Sequence, residues 1–368
     1  MDNDAHQSSV LSSGTTQHQQ APSSLSNIHG RIHKLQASIW NAYNKKPIHH
    51  WILLLLSSLA MLVAFPASTL LSRLYYSNGG TSRWILSWVA VAGWPLTSLF
   101  LLPLYLRPNI SPTPLSLKLS LSYIGLGFLS AADNLMFAWA FSYLPASTAS
   151  LLSSTSLAFS AIFGYLLVKN KLNLSTINSI VIIMAGAVII ALDSSSDRPP
   201  GVSKGQYALG FLWDILGSAL HGLIFALSEL VFVKLMGRRS FHVVLEQQVM
   251  VSFFGFVFTT IGVVLNNDFK AMRKAARTFK NGEVSYIMVL LWGAITFQLG
   301  VLGGTAVLFL TSTVMAGVLN AVRVPLTSVA AVVVFHDPMS GFKILSLVLT
   351  VWGFGCYIYG NSPETKSS

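Results

Sequence analysis

Only one cysteine stands in the chain, Cys356, and it lies inside the last apolar run. It allows no intramolecular disulfide and no cysteine metal cluster. Charge is also scarce. Asp, Glu, Lys and Arg make up 10% of the 368 residues, whereas a soluble domain carries about 25%, so this surface cannot all face water. A glycine-rich phosphate loop with its Lys is missing, since Gly125-Leu126-Gly127 lacks the third glycine and sits within an apolar run. There is no His-rich metal pattern. An intramembrane aspartyl hydrolase needs two acids on adjacent spans, and Asp133 and Asp214 are formally available for that without any supporting motif. These absences point away from an enzyme and from any cofactor or metal.

What the chain has instead is apolar length. It is 53% hydrophobic, and runs of 18 or more apolar residues recur from Trp51 to the C-terminus, which is the membrane signature. The net charge of +11 would suggest nucleic acid in a soluble protein. Here the basic residues fall mostly between apolar runs, so lipid headgroups are the expected partner and nucleic acid is not.

The predicted fold class is an all-α membrane protein with ten transmembrane helices in two inverted five-helix halves. The spans are placed at about 51–72, 84–106, 117–142, 145–168, 174–192, 209–236, 241–265, 285–310, 312–335 and 341–360. Residues 1–47 read as a cytosolic tail, polar and disordered at first. Ile28, Ile32, Leu35, Ile39 and Tyr43 then lie on one face of an interfacial helix. The first half covers 48–192, an extracytoplasmic loop 193–208, the second half 209–360, and a cytosolic tail 361–368. No cleavable leader precedes the first span, which acts as its own insertion signal.

Both termini are placed in the cytoplasm. That orientation puts 12 Lys and Arg inside and 10 outside, five of the latter in the block Lys270–Lys280. The block reads as an amphipathic helix on the outer face. The sequons at Asn109 and Asn173 fall inside and are expected to be unmodified. An integral multi-pass protein of the plasma membrane is expected, rather than of an internal one. The oligomeric state is not fixed by the sequence.

A hydropathy match supports the two halves. Residues 147–173 fall on 313–339 at an offset of 166. With five spans per half, the second copy is inverted, an architecture that permits alternating access around a mid-membrane site.

Ionisable groups inside spans are costly and functional by default. Asp133 and Asn134 lie mid-way along the third span. Asp214, His221 and Glu229 can line one strip of the sixth, although Asp214 also suits a helix start and His221 also suits packing. Arg323 lies in the ninth, one turn after Asn320, and reads either as a substrate contact or as a counter-charge to Glu229 or Asp133. Gln298 lies in the eighth; Asn134, Gln298 and Asn320 also suit interhelical hydrogen bonding. A carboxyl group in a desolvated bundle can take up and release a proton near neutral pH. Glu229 is the first choice for that relay, with Lys234 as its structural alternative, and Asp133 is the second. Aromatics such as Trp139 can stack on a planar ring. The Ser and Thr residues of 147–156 suit either close packing or a hydrated lumen.

Several stretches carry a resemblance in combination: Gly79-Gly80-Thr81-Ser82-Arg83-Trp84, Ala92-Gly93-Trp94-Pro95, Ala132-Asp133-Asn134-Leu135, Tyr143-Leu144-Pro145-Ala146-Ser147-Thr148, Leu157-Ala158-Phe159-Ser160-Ala161, Leu245-Glu246-Gln247-Gln248, Trp352-Gly353-Phe354 and the run 191–199. Over roughly 48–360 the chain resembles the plant purine permeases of the drug/metabolite transporter superfamily. The resemblance implies a proton-coupled importer of adenine, cytokinins or related nitrogen heterocycles, with ten spans and cytosolic termini. The polar and aromatic groups inside the spans place the expected substrate site among Asp133, Asn134, Trp139, Gln298, Asn320 and Arg323, with Glu229 and Asp133 handling protons. The chain departs from the family at Ser328, where many members carry an acid, and at Asn134, which is often acidic. An exporter or exchanger of another metabolite, and a non-transporting receptor or scaffold, remain the alternatives.

Overall fold

The structure is a computed structural model and describes residues 47–106, 110–170, 172–193, 197–236, 241–310 and 313–360. The interfacial helix expected at 28–43, the sequon at Asn109 and the tail 361–368 lie outside the described residues. Every regular element among the described residues is helical. In chain order these are α1 (Ile48–Ser77), α2 (Arg83–Ala92), α3 (Trp94–Tyr105), α4 (Leu117–Tyr143), α5 (Ala146–Leu152), α6 (Thr155–Phe163), α7 (Leu174–Leu192), α8 (Lys204–Val231), α9 (Phe241–Leu265), α10 (Asp268–Thr278), α11 (Gly282–Leu310), α12 (Thr313–Phe335) and α13 (Gly341–Gly360). Single π-helical turns, Gly164–Val168 and Phe232–Met236, continue α6 and α8.

Nine stretches among the described residues are long and apolar enough to cross a membrane, and α12 adds the shorter apolar stretch Val322–Phe335. That pattern is compatible with ten crossings. Helix is the expected solution, because lipid offers no partner for backbone N–H and C=O groups. The helix starts are written locally in the chain. Ser82, Ser116 and Asn173 accept from the backbone N–H three residues on, and Ser203 and Gln206 form a reciprocal capping box at α8. The basic block 270–280 forms most of α10 as expected, with Ala275 and Ala276 buried.

Residues 147–156 lie in α5, α6 and the break between them. The hydroxyls of Ser150, Ser153, Ser154 and Thr155 bond carbonyls three residues back in their own chain. Hydroxyls satisfied in this way let helices approach closely, which is the packing reading of this segment.

The helix boundaries sharpen the internal match. α5 and α12 begin at 146 and 313, and the helical stretches that follow end at 168 and 335. Next in each copy comes a non-glycine residue with left-handed backbone, Lys169 at φ 64° and His336 at φ 53°. Asn173 and Ser340 then cap α7 and α13. All these pairs are 167 apart, so the backbone register is one residue longer than the hydropathy match.

α7 and α13 pack against each other through equivalent positions. A Cβ on Gly353 would stand 2.6 Å from Ile183 Cγ1, while a Cβ on Gly186 would meet Ser346 and Thr350 at ordinary contact distance. Gly186 and Gly353 are themselves 167 apart, as are Ile183 and Thr350.

At one end of the bundle, here the Asp197 end, the chain segments are tied by a buried polar network. Lys343 Nζ pairs with Asp197, and both side chains are 2% exposed. Asp197 also accepts from the hydroxyls of Thr148 and Tyr207. Lys343 Nζ donates to Ser147 Oγ at 3.0 Å and to the Pro338 carbonyl at 2.9 Å. Asp337 accepts from the Ser147 amide and hydroxyl, and Asp193 accepts from Ser340. The network joins α5 and the approach to α8 with the turn before α13.

Two stability predictions follow from these contacts. Gly353→Ala forces the α7–α13 seam apart and should lower the thermal unfolding midpoint in detergent, an overpacking cost of about 1–3 kcal/mol. Gly355→Ala, whose Cβ meets nothing within 4 Å, should leave the midpoint unchanged or slightly raised. Lys343→Met leaves Asp197 buried without its counter-charge and should cost about 3–5 kcal/mol in the same assay. Adding Asp197→Leu should recover part of that loss.

Candidate functional site

The exposed leucines of α8 define its lipid face: Leu209, Leu212 and Leu216 fall within about 60° of one another at ~100° per residue. Asp214, Ser218, His221 and Phe225 occupy the opposite side. Phe225 is nevertheless 58% exposed and the His221 side chain 39%, so neighbouring helices do not fully cover this face. On α4 the lipid face carries Leu117, Leu121, Ile124 and Phe128, and Asp133 and Phe137 lie across from it. The two inner faces meet. His221 Nδ1 lies 2.9 Å from Asp133 Oδ2, and the imidazole packs edge-on against Phe225 and Phe137, with ring centroids 4.9 and 6.2 Å away.

Close backbone packing fixes this geometry. A Cβ on Gly222, the neighbour of His221, would stand 2.6 Å from the Ser160 nitrogen of α6, so only glycine lets α8 approach there. The same face of α8 holds Asp214 and Ser218, both at 0% exposure. Both Asp214 oxygens, the Ser218 hydroxyl and Asp133 Oδ1 are buried without a hydrogen-bond partner. α8 begins at Lys204, so Asp214 sits well past the first turn and is not a dipole or cap residue.

The other predicted residues are spread more widely. Asn134 is turned about 100° from Asp133 and donates to the Ser130 carbonyl at 2.8 Å. Trp139 stacks on Trp213 with centroids 5.9 Å apart, under the Arg83 guanidinium at 4.1 Å. Arg83 also donates to the Tyr143 hydroxyl. That aromatic box lies towards the Asp197 end.

Gln298 is fully buried at the break between α2 and α3, accepting from Thr97 Oγ1 at 3.1 Å and donating to the Ala90 carbonyl at 3.2 Å. Here it acts as interhelical glue. Arg323 lies over the Phe65 ring at 4.6 Å, and Phe65 meets Phe297 edge-on. Neither Asp133 nor Glu229 is its counter-ion, since the ion pairs among the described residues are His221–Asp133 and Lys343–Asp197. The Asn320 side chain lies outside the described residues.

Glu229 lies about 12 Å along α8 from His221 at ~1.5 Å per residue, towards the opposite end, and accepts from Asn170 Nδ2 at 3.2 Å. Its contact is Asn170 and not Lys234. At that same Glu229 end, Glu246 of the Leu245–Gln248 stretch accepts from the amide and hydroxyl of Thr113. Three buried charged groups were not among the predicted site residues: Glu246 and Asp197, which lie in stretches that carry the resemblance, and Lys343, which was counted as an outside charge. The one available signal for the Asp197–Lys343 pair was Lys343 standing three residues into an apolar run. A cavity of about 370 Å³ under α10, lined by Phe269, Met272 and Tyr286 among others, includes none of the predicted site residues.

This arrangement, an ionisable pair between inner helix faces with aromatic rings around it, suits a planar, hydrogen-bonding solute. Residues 52–367 match a family model described as purine nucleobase transmembrane transport. The chain is 69% identical over 337 residues to "Probable purine permease 5" of Arabidopsis thaliana, covering 92% of this chain and 93% of that one. It is 33% identical over 323 residues to "Purine permease 3" of the same plant, with 86% and 91% covered. A solved structure described as "Crystal structure of protein" has the same fold at a TM-score of 0.51 and 14% identity, over 81% of this chain and 96% of that one. By these matches, and by its apolar helical architecture, the chain belongs to the purine nucleobase transmembrane transporter family, a family of membrane transporters and not of enzymes.

Proposed function

We propose that the protein imports adenine, cytokinins or related nitrogen heterocycles together with protons, by alternating access between two inverted halves, 48–192 and 209–360. The observation that carries this reading is the Asp133–His221 pair on the inner faces of α4 and α8. A carboxylate accepts from a heterocyclic N–H and an imidazole can donate or accept, so the pair matches a purine edge while exchanging a proton with it. Phe137 and Phe225 flank the pair and offer ring faces. Trp139 under Arg83 forms a stacking platform on the entry side, and Arg323 over Phe65 forms the opposing wall; Asn320 is a proposed substrate contact from the sequence alone. Asn134 and Gln298 set the helix positions around the site. Glu229, held by Asn170, hands the proton on at the cytoplasmic end.

The helix boundaries repeated at an offset of 167 support the two-half architecture. The network around Lys343 and Asp197 supports a closed extracytoplasmic end, because it bridges the two proposed halves and has to part for substrate to enter. Cytosolic termini and a plasma-membrane location complete the reading.

Uptake of labelled adenine and of a cytokinin into cells expressing the chain tests it. Uptake should rise as the external pH is lowered from neutral, and pH-independent uptake would remove proton coupling. Asp133→Asn should lower adenine uptake by about tenfold or more, the loss expected for one buried charge-assisted hydrogen bond, with surface expression unchanged. Glu229→Gln should abolish the proton-linked part of uptake in a folded protein; full acid-stimulated uptake by that variant would take Glu229 out of the mechanism.

A further inference from the structure

We infer that Asp214 is the residue that holds the coupled proton while the Asp133–His221 site is empty. This rests on the proton-coupled reading above and adds a site to it. Asp214 has 0% exposure, and neither of its carboxyl oxygens has a hydrogen-bond partner. An ionised carboxyl buried in that way is far costlier than a neutral one, so the geometry accommodates the protonated acid. The Ser218 hydroxyl, one turn on along the same face, is equally buried and equally without a partner, and can turn to give or accept a hydrogen bond. Asp133 Oδ1 is the fourth unpartnered oxygen along the same α4–α8 contact.

Few other charges intervene. α5 and α6, packed on α8, carry no titratable side chain. α4 brings Asp133 and, one turn beyond Asp214 towards the Asp197 end, Tyr143, whose hydroxyl accepts from Arg83. On α8 itself His221 lies two turns on from Asp214, with a half-exposed ring, and Tyr207 lies two turns back, its hydroxyl given to Asp197.

The sequence of events balances in protons. A proton from the extracytoplasmic water reaches Asp214 and is held there as the neutral acid. Binding of substrate at Asp133 and His221 and reorientation of the halves carry it inward. Asp214 then releases it by way of Glu229 to the cytoplasmic water, leaving a carboxylate to be reprotonated from outside.

The test uses the full-length protein in liposomes with labelled adenine, measuring two quantities. One is accumulation driven by an inward proton gradient. The other is counterflow, in which labelled adenine exchanges for unlabelled adenine without a gradient. A gradient of about one pH unit supports about tenfold accumulation at one proton per substrate. Asp214→Asn mimics the permanently neutral acid; it should bring accumulation down to about onefold while counterflow stays within about twofold of the parent. Asp214→Glu, which keeps a titrating carboxyl, should restore accumulation. Undiminished gradient-driven accumulation by Asp214→Asn overturns the inference. So does loss of counterflow together with accumulation in both variants, which would place Asp214 in substrate binding or in the fold. A parent protein that exchanges adenine but never accumulates it against a proton gradient refutes the proton-coupled reading itself, a result separable from either of these.

Discussion

The contact between Lys343 and Asp197 determines how the Asp197 end is built. A cation and an anion shut away from water are tolerable only if each is paired and its remaining hydrogen-bonding capacity is used. Asp197 meets this with Thr148 and Tyr207, and Lys343 with Ser147 and the Pro338 carbonyl. These partners come from three parts of the chain, so the pair fixes the start of α5, the start of α8 and the entry to α13 in one stroke. Asp337 and Asp193 extend the same logic to the neighbouring cap and turn. Ser147 and Thr148 in the resemblance stretch 143–148, and Asp193 and Asp197 in the run 191–199, therefore have a shared structural task.

The membrane interior follows a different rule. Polar groups there are paired in small, separate sets: Asp133 with His221, Gln298 with Thr97 and Ala90, Asn134 with Ser130. Two of the three are closed and quiet. The set around Asp133 is open, with oxygens of Asp133, Asp214 and Ser218 left over. Single buried polar atoms go without a partner elsewhere too, at Tyr123, Thr176 and Ser328 among others, but the α4–α8 contact is where four such oxygens from three side chains lie along one pair of helices, and a mobile partner can be hosted there.

Much of this was legible in the residues. Apolar length and scarce charge give the helices, and the local caps at Ser82, Ser116, Asn173 and Ser203 give their starts. Asp133 stood out in the sequence because an acid mid-span has few structural uses. Its pairing with His221 was not legible, because the contact depends on the rotation of α4 against α8, where Gly217 meets Met136 and Phe137. Asp214 was misplaced for a simpler reason: the predicted span began at 209, whereas the capping box at Ser203 and Gln206 starts the helix at Lys204. Reading that box in the sequence would have moved Asp214 into the helix interior. Glu229, in contrast, looked central by count and lies instead near the end, where the π-helical turn and Asn170 meet it. Lys343 and Asp197 are separated by a large part of the chain and meet only through the fold.

The seam between α7 and α13 has a mechanical meaning. Each helix presents a glycine to the other at equivalent positions, with Ile183 seated in the gap at Gly353. Sliding one helix along the other by a turn, about 5.4 Å, would drive Ile183 out of the gap at Gly353. Rolling about the line of contact keeps both glycines in register. The seam therefore resists translation of α7 along α13 more than rotation about their line of contact.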